Sequence, residues 1–218
     1  PDRVRDELAK GKVVIVAGFQ GVSAAKEITT LGRGGSDTSA VAMAAALGAD
    51  RCEILTDVDG LFSADPRLVP MARLLPICSY DEALEFSSLG AKMHSRSIEV
   101  AKRYGVSVQI ASSASGSGEG TKLVPAVARD EGEEMESTVI RGIATKDGYD
   151  FVRVNAGLDV VAEVLEAVRA PVRFFQHADG KSAFLCSSSK VDQALDAFLA
   201  KGIPFDRLSG VATVAAVG

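Results

Sequence analysis

Thr29-Thr30-Leu31-Gly32-Arg33-Gly34-Gly35-Ser36-Asp37-Thr38-Ser39-Ala40 is a glycine-rich turn that runs straight into the apolar, alanine-rich residues 41–47. That pattern predicts a loop opening into a helix. Three glycines around one arginine let the backbone come close to a ligand, because no Cβ intervenes and positive φ costs little. Ser36, Asp37 or Thr38 is expected to cap the helix, and its unpaired N–H groups and positive dipole end favour an anion. Arg33 adds a planar fork suited to a carboxylate or a phosphate. No Gly-Lys-Ser/Thr follows at the spacing of a Walker A loop, so the glycines alone leave open a plain capped turn with a surface arginine.

Outward from the loop, the apolar run 13–17 ends at Gly18 and predicts a strand buried on both faces of a mostly parallel sheet. Residues 18–28 then read as a connection. The helix is expected over about 37–47, stopped by Gly48. A short strand over 52–55 leads into Thr56-Asp57-Val58-Asp59-Gly60-Leu61-Phe62 and Asp65-Pro66-Arg67. Ligands of open α/β sheets bind beyond the carboxyl ends of strands, so this loop and the Arg33 loop are expected to face one site. Asp-Gly is equally a plain turn signal.

Ser79 and Glu82 have the spacing of a capping box, predicting a helix to about residue 89. A second helix over 95–104, closed by Gly105, precedes a strand over 106–111. Lys92 lies between these helices and by itself reads as a solvated lysine. Residues 112–120 are Ser/Gly-rich, 121–124 predict a last edge strand, and 125–137, with Asp130, Glu131, Glu133, Glu134 and Glu136, read as an acidic linker between domains 1–124 and 138–218.

Beyond the linker, strands are predicted over 139–144 and 151–154, an amphipathic helix over 158–168, and strands over 172–176 and 182–186 joined by an Asp179-Gly180 hairpin turn. A helix over 191–201, with Leu195, Phe198 and Leu199 on its apolar face, precedes one or two strands over 205–217. The order β-α-β-β-α-β is that of a small ferredoxin-like domain.

The 218 residues are 47% hydrophobic and 24% charged, an ordinary globular composition. A net charge of -5, from 29 acidic and 24 basic residues without a basic run, argues against nucleic acid as a partner. No apolar run reaches membrane-spanning length and no signal-peptide pattern opens the chain, so a cytoplasmic protein without membrane contact is expected. Cys52, Cys78 and Cys186 are widely spaced in apolar contexts and predict reduced core thiols; His94 and His177 lack ligand-type neighbours, so no protein-held metal is expected.

The combination of the Gly18 to Asp37 run with Thr-Asp-Val-Asp-Gly and Asp-Pro-Arg resembles the aspartate kinases of the amino acid kinase family, over about the first 124 residues. The tail resembles an ACT domain, a regulatory amino-acid-binding module. The resemblance implies an α/β fold: the C-terminal, nucleotide-side half of an amino acid kinase fold, a mostly parallel sheet between helices, followed by a ferredoxin-like ACT (βαββαβ) domain and truncated at a second ACT unit. It implies transfer of a phosphoryl group from ATP, with Mg2+, to the side-chain carboxylate of L-aspartate, in the biosynthesis of lysine, threonine and methionine.

By the same resemblance, Arg33 clamps a substrate carboxylate, with Gly34, Gly35 and Ser36 completing the pocket and Asp37 orienting catalytic lysines or the substrate. Thr56 and Asp57 bind the nucleoside, Phe62 flanks it, and Arg67 and Lys92 approach the phosphates. An effector, lysine or threonine, is expected near Asn155, Gly157 and Leu158, and self-association through the ACT-like half. The family's Lys-Phe-Gly-Gly-Thr-Ser element is absent from these residues, so the chain is expected to be a fragment that is inactive in isolation. Two other readings stand beside this one: another amino acid kinase, such as a glutamate 5-kinase, and a non-catalytic regulatory or assembly subunit.

Overall fold

The structure, a computed structural model, describes residues 2–90, 93–114, 120–125 and 140–218. The chain divides into two compact units, one of residues 1–144 and 215–218, the other of 145–214. Most of the expected linker, residues 126–137, lies outside the described residues.

The first unit begins with α1 (Asp2–Ala9) and a small antiparallel ribbon, β1 (Gln20–Val22) with β2 (Ile28–Thr30). The strand expected over 13–17 does not form. These residues belong to no ladder, and Val13 and Ile15 are 93% and 95% exposed. An apolar run becomes a buried strand only where neighbouring strands take its N–H and C=O groups, and none of the described strands does so. The ribbon occupies residues that read as a plain connection, 18–28, and as the start of the glycine-rich turn, Thr29 and Thr30.

Next come α2 (Gly35–Leu47), β3 (Cys52–Thr56), β4 (Ile77–Ser79), α3 (Tyr80–Ser88), α4 (Ser95–Tyr104), β5 (Val108–Ser112) and β6 (Thr121–Val124). The sheet runs β3-β5-β6-β4, with β3 parallel to β5, β6 parallel to β4, and β5 antiparallel to β6. β6 is therefore an inner strand, not the expected edge. β4, too short to show a period, takes the edge instead. Alternation explains the burial of Thr121 and Leu123, while Lys122 between them points outward. Val41, Tyr80, Phe86, Ile98, Val108 and Leu123 form the core. The Tyr80 hydroxyl donates to the Val106 carbonyl at 2.6 Å, which satisfies the one polar atom of that buried ring.

The predicted capping box is present: Ser79 Oγ accepts from Glu82 N at 3.1 Å and Glu82 Oε2 from Ser79 N at 2.7 Å. Gly48 and Gly105 end α2 and α4 in the left-handed conformation, as expected.

The second unit carries α5 (Leu158–Ala167), β8 (Val172–Ala178), β9 (Lys181–Ser187), α6 (Val191–Ala200) and most of β7 (Gly142–Val154) and β10 (Phe205–Val217), whose residues 142–144 and 215–217 count with the first. The sheet order β10-β7-β9-β8 is the ferredoxin-like one. β7 runs as one strand through the two predicted over 139–144 and 151–154, with Gly148 inside it at φ 82°. Asp179 and Gly180, at φ 51° and 71°, form the expected hairpin turn. Val152, Val161, Val164, Phe184, Val191 and Phe198 fill the core, but Leu199 is 58% exposed. On a 3.6-residue helix, 195 and 198 share the inner face and 199 swings to its margin.

Candidate active site

Gly32 and Gly34 both take positive φ, 76° and 73°, and Gly34 is the residue before the first turn of α2. The helix starts two residues earlier than its sequence suggested, which places Ser36, Asp37 and Thr38 inside the first turn. They therefore make no side-chain cap. The hydroxyls of Thr38 and Ser39 donate instead to the carbonyls of Gly34 and Gly35, at 2.9 and 2.7 Å. Gly35 N donates back to the Gly32 carbonyl at 3.0 Å, and the dipole of the capless start makes this end of α2 attractive to an anion.

What holds this loop is the start of α4. A Cβ on Gly34 would stand 2.4 Å from Cβ and Cγ of His94, so the His94 side chain packs against a backbone only glycine supplies. Arg96 Nη1 donates to the Leu31 carbonyl at 2.7 Å. His94 Nδ1 in turn accepts from Arg96 N at 3.3 Å and caps α4. Sequence reading passed over His94 as a lone histidine; its position immediately before a helix start was the available signal. Burial pushes the Asp37 carboxyl above its ordinary range, against the charge and backbone N–H of His94, which favour ionisation. Arg33 is exposed at the tip of the loop, and among the described residues no carboxylate pairs with it.

The second candidate loop leaves the carboxyl end of β3. Thr56 Oγ1 donates to Asp57 Oδ1 at 3.1 Å, and Asp57, Leu61, Phe62 and Arg67 line one mainly apolar cavity of about 410 Å³. Arg67 turns its guanidinium onto Asp65, Nη2 to Oδ2 at 2.6 Å, and its hydrogen bonds pull the Asp65 carboxyl down to about 2. The expected common site resolves into two walls. The flank of the glycine loop, with Ser36, Leu31 and Gly18, borders a different cavity of about 680 Å³. Lys92 lies outside the described residues.

In the second unit, Gly157 precedes α5 and Leu158 is exposed at its start. Asn155 borders a hollow of about 370 Å³ with Arg153, Lys181 and Asp206. The Ala156 carbonyl accepts from the buried Ser182 hydroxyl at 3.0 Å, which anchors this loop to the sheet.

The described residues thus present a glycine-lined helix start with an exposed arginine and a Thr-Asp loop at a strand end. The amino acid kinase family profile matches residues 1–112, and the chain belongs to that family. Within it, the curated relatives the chain matches at about half identity are aspartokinases. That of Mycolicibacterium smegmatis is 52% identical over 172 residues, 78% of this chain and 40% of that protein. Among solved structures, Escherichia coli aspartokinase III in complex with lysine and aspartate, described as its T-state, superposes with a TM-score of 0.77 at 25% identity, covering 92% of this chain and 47% of the other. The same enzyme with aspartate and ADP, described as its R-state, gives 0.72 at 27% identity, covering 96% and 49%. The chain spans 36–40% of the length of the first curated relatives it matches.

Proposed function

We propose that this chain is the nucleotide-side half of an aspartate kinase domain joined to an ACT-like regulatory module, and that the protein phosphorylates the side-chain carboxylate of L-aspartate from MgATP. The observation that carries the reading is the Arg33 loop: a fork and a capless helix start, held in shape by His94 and Arg96, in a chain about half identical to aspartokinases. One carboxylate oxygen of aspartate attacks the γ-phosphorus, the bond to the β-bridging oxygen breaks, and ADP leaves. The protein's work is to hold two anions in line and spread their charge. Arg33 with the Gly34 and Gly35 backbone and the Ser36 hydroxyl takes a substrate carboxylate, and Asp37 positions it. Thr56, Asp57 and Phe62 take the nucleoside, and Arg67 and Lys92 the phosphates.

Phosphoryl-transfer Mg2+ is held largely by the phosphates and water with one or two carboxylates. Here the ion would arrive with the nucleotide. No helix among the described residues is long and apolar enough to cross a membrane. We place the protein in the cytoplasm, with lysine or threonine as an effector at Asn155, Gly157 and Leu158 and with self-association through the ACT-like unit.

Replacing Arg33 by lysine in the enzyme that carries this chain tests the reading. The charge stays but the two-pronged bond goes, so the KM for aspartate should rise about tenfold with that for ATP within about twofold. Equal changes in both would remove Arg33 from the carboxylate site.

A further inference from the structure

We propose that Thr121 is a positioning residue for the nucleotide side of the site, through a hydroxyl inserted into the hairpin that carries Phe62 and Arg67. The inference rests on the nucleotide-binding reading of that loop. Residues 61–63 and 73–75 run antiparallel around the bridge Phe62 to Leu74, with Leu75 N donating to Leu61 O and Ser63 N to Arg73 O, each at 2.8 Å. In such a pairing Leu61 and Leu75 should exchange two bonds, and Leu61 N should return one to Leu75 O.

It does not. Leu61 N donates to Thr121 Oγ1 at 2.7 Å, and the same hydroxyl donates to Leu75 O at 2.7 Å. The hydroxyl is a relay set between the two strands of the hairpin, and Thr121 is fully buried on the inner strand β6. Gly60 leaves room for it, and Gly120 lets the chain before Thr121 come close to β5. A Cβ on Gly60 would stand 2.6 Å from Thr121 Oγ1, and one on Gly120 would stand 2.0 Å from the Ile110 carbonyl.

Two buried leucine backbone groups thus depend on one side-chain oxygen of the sheet, and that oxygen sets where the hairpin leaves the core. Phe62 follows Leu61 directly, Arg67 lies in the loop of the same hairpin, and both line the cavity. Loss of the hydroxyl leaves Leu61 N and Leu75 O unpaired in the interior, and the hairpin must shift to recover them. The glycine loop is a separate wall with no bond to Thr121, so the effect belongs to the nucleotide alone.

Thr121→Val keeps the volume and removes the relay; Thr121→Ser keeps the relay. In the enzyme carrying this chain, Thr121→Val should raise the KM for ATP and weaken ADP binding by calorimetry about tenfold, with the KM for aspartate within about twofold. Thr121→Ser should stay within about twofold of the parent throughout. If Thr121→Val shows no cooperative melting, Thr121→Cys, a weak hydrogen-bonding group of similar volume, should move the same constants the same way by less. ATP and aspartate constants shifting together, ATP constants that do not move, or a serine variant as impaired as valine would each overturn the proposal. A parent enzyme that binds no ADP would instead overturn the nucleotide reading beneath it.

Discussion

Gly34 shows how much one missing Cβ decides. Its φ of 73° is costly for any other residue, and the space a methyl would take is filled by His94 at 2.4 Å. Gly34→Ala should therefore lower stability by about 2 kcal/mol, from left-handed strain plus overpacking, with a urea midpoint shift at unchanged m-value. Because the imidazole can relieve the clash only by moving off the loop, the same variant should also weaken aspartate more than ATP. Asp150 is a different kind of pivot. It is buried, and burial opposes its ionisation, but bonds from Ser188 Oγ, Arg207 Nε and Gly210 N prevail and hold its carboxyl below the ordinary range. A lowered folded pKa gives stability that is complete above the unfolded value of 3.8 and is lost as pH falls through the folded one. Asp150→Asn should flatten the acid limb of the unfolding curve and cost about 1–2 kcal/mol at pH 7, limited by the partial exposure of Arg207.

At the scale of elements, the capping box of α3 was legible because its two residues lie three apart and answer each other locally. Ser79→Ala should cost about 1 kcal/mol in thermal or urea unfolding and leave the aspartate and ATP constants unchanged. The start of α2 was misplaced for an equally local reason. Three capping-type residues stand in a row, Ser36, Asp37 and Thr38, and only the loop's left-handed glycines decide that the helix begins before them. α4 shows an element serving beyond itself. His94 caps it and presses on Gly34, and Arg96 ties it to Leu31, so a helix readable from its own periodicity braces a loop 60 residues earlier through contacts that no periodicity encodes.

For the whole molecule, each unit has its own core, and the three cysteines divide between them: Cys52 and Cys78 in the first, Cys186 in the second. Burial pushes all three thiols up, Cys78 to about 12 with the Glu82 charge adding to it. A raised thiol pKa means almost no thiolate at pH 8. The native protein should react with a disulfide exchange reagent at pH 8 far more slowly than free cysteine, and all three thiols should react at once in guanidinium. A fast native thiol would mean that one of the cores opens locally.

What the amino-acid sequence determined by itself is what depends on neighbours along the chain: the glycine loop feeding α2, the box on α3, the left-handed stops at Gly48 and Gly105, the Asp179-Gly180 turn, and the βαββαβ order. Tertiary structure decided whatever needs a partner distant in sequence. It left the apolar run 13–17 outside every described ladder and placed β6 inside the sheet, because strand status depends on which chains offer hydrogen bonds on either side. It also separated the two candidate walls and set His94, Arg96 and Thr121 behind them. They reach Gly34, Leu31 and Leu61 across 60 residues or more, and a contact of that kind is fixed by packing alone.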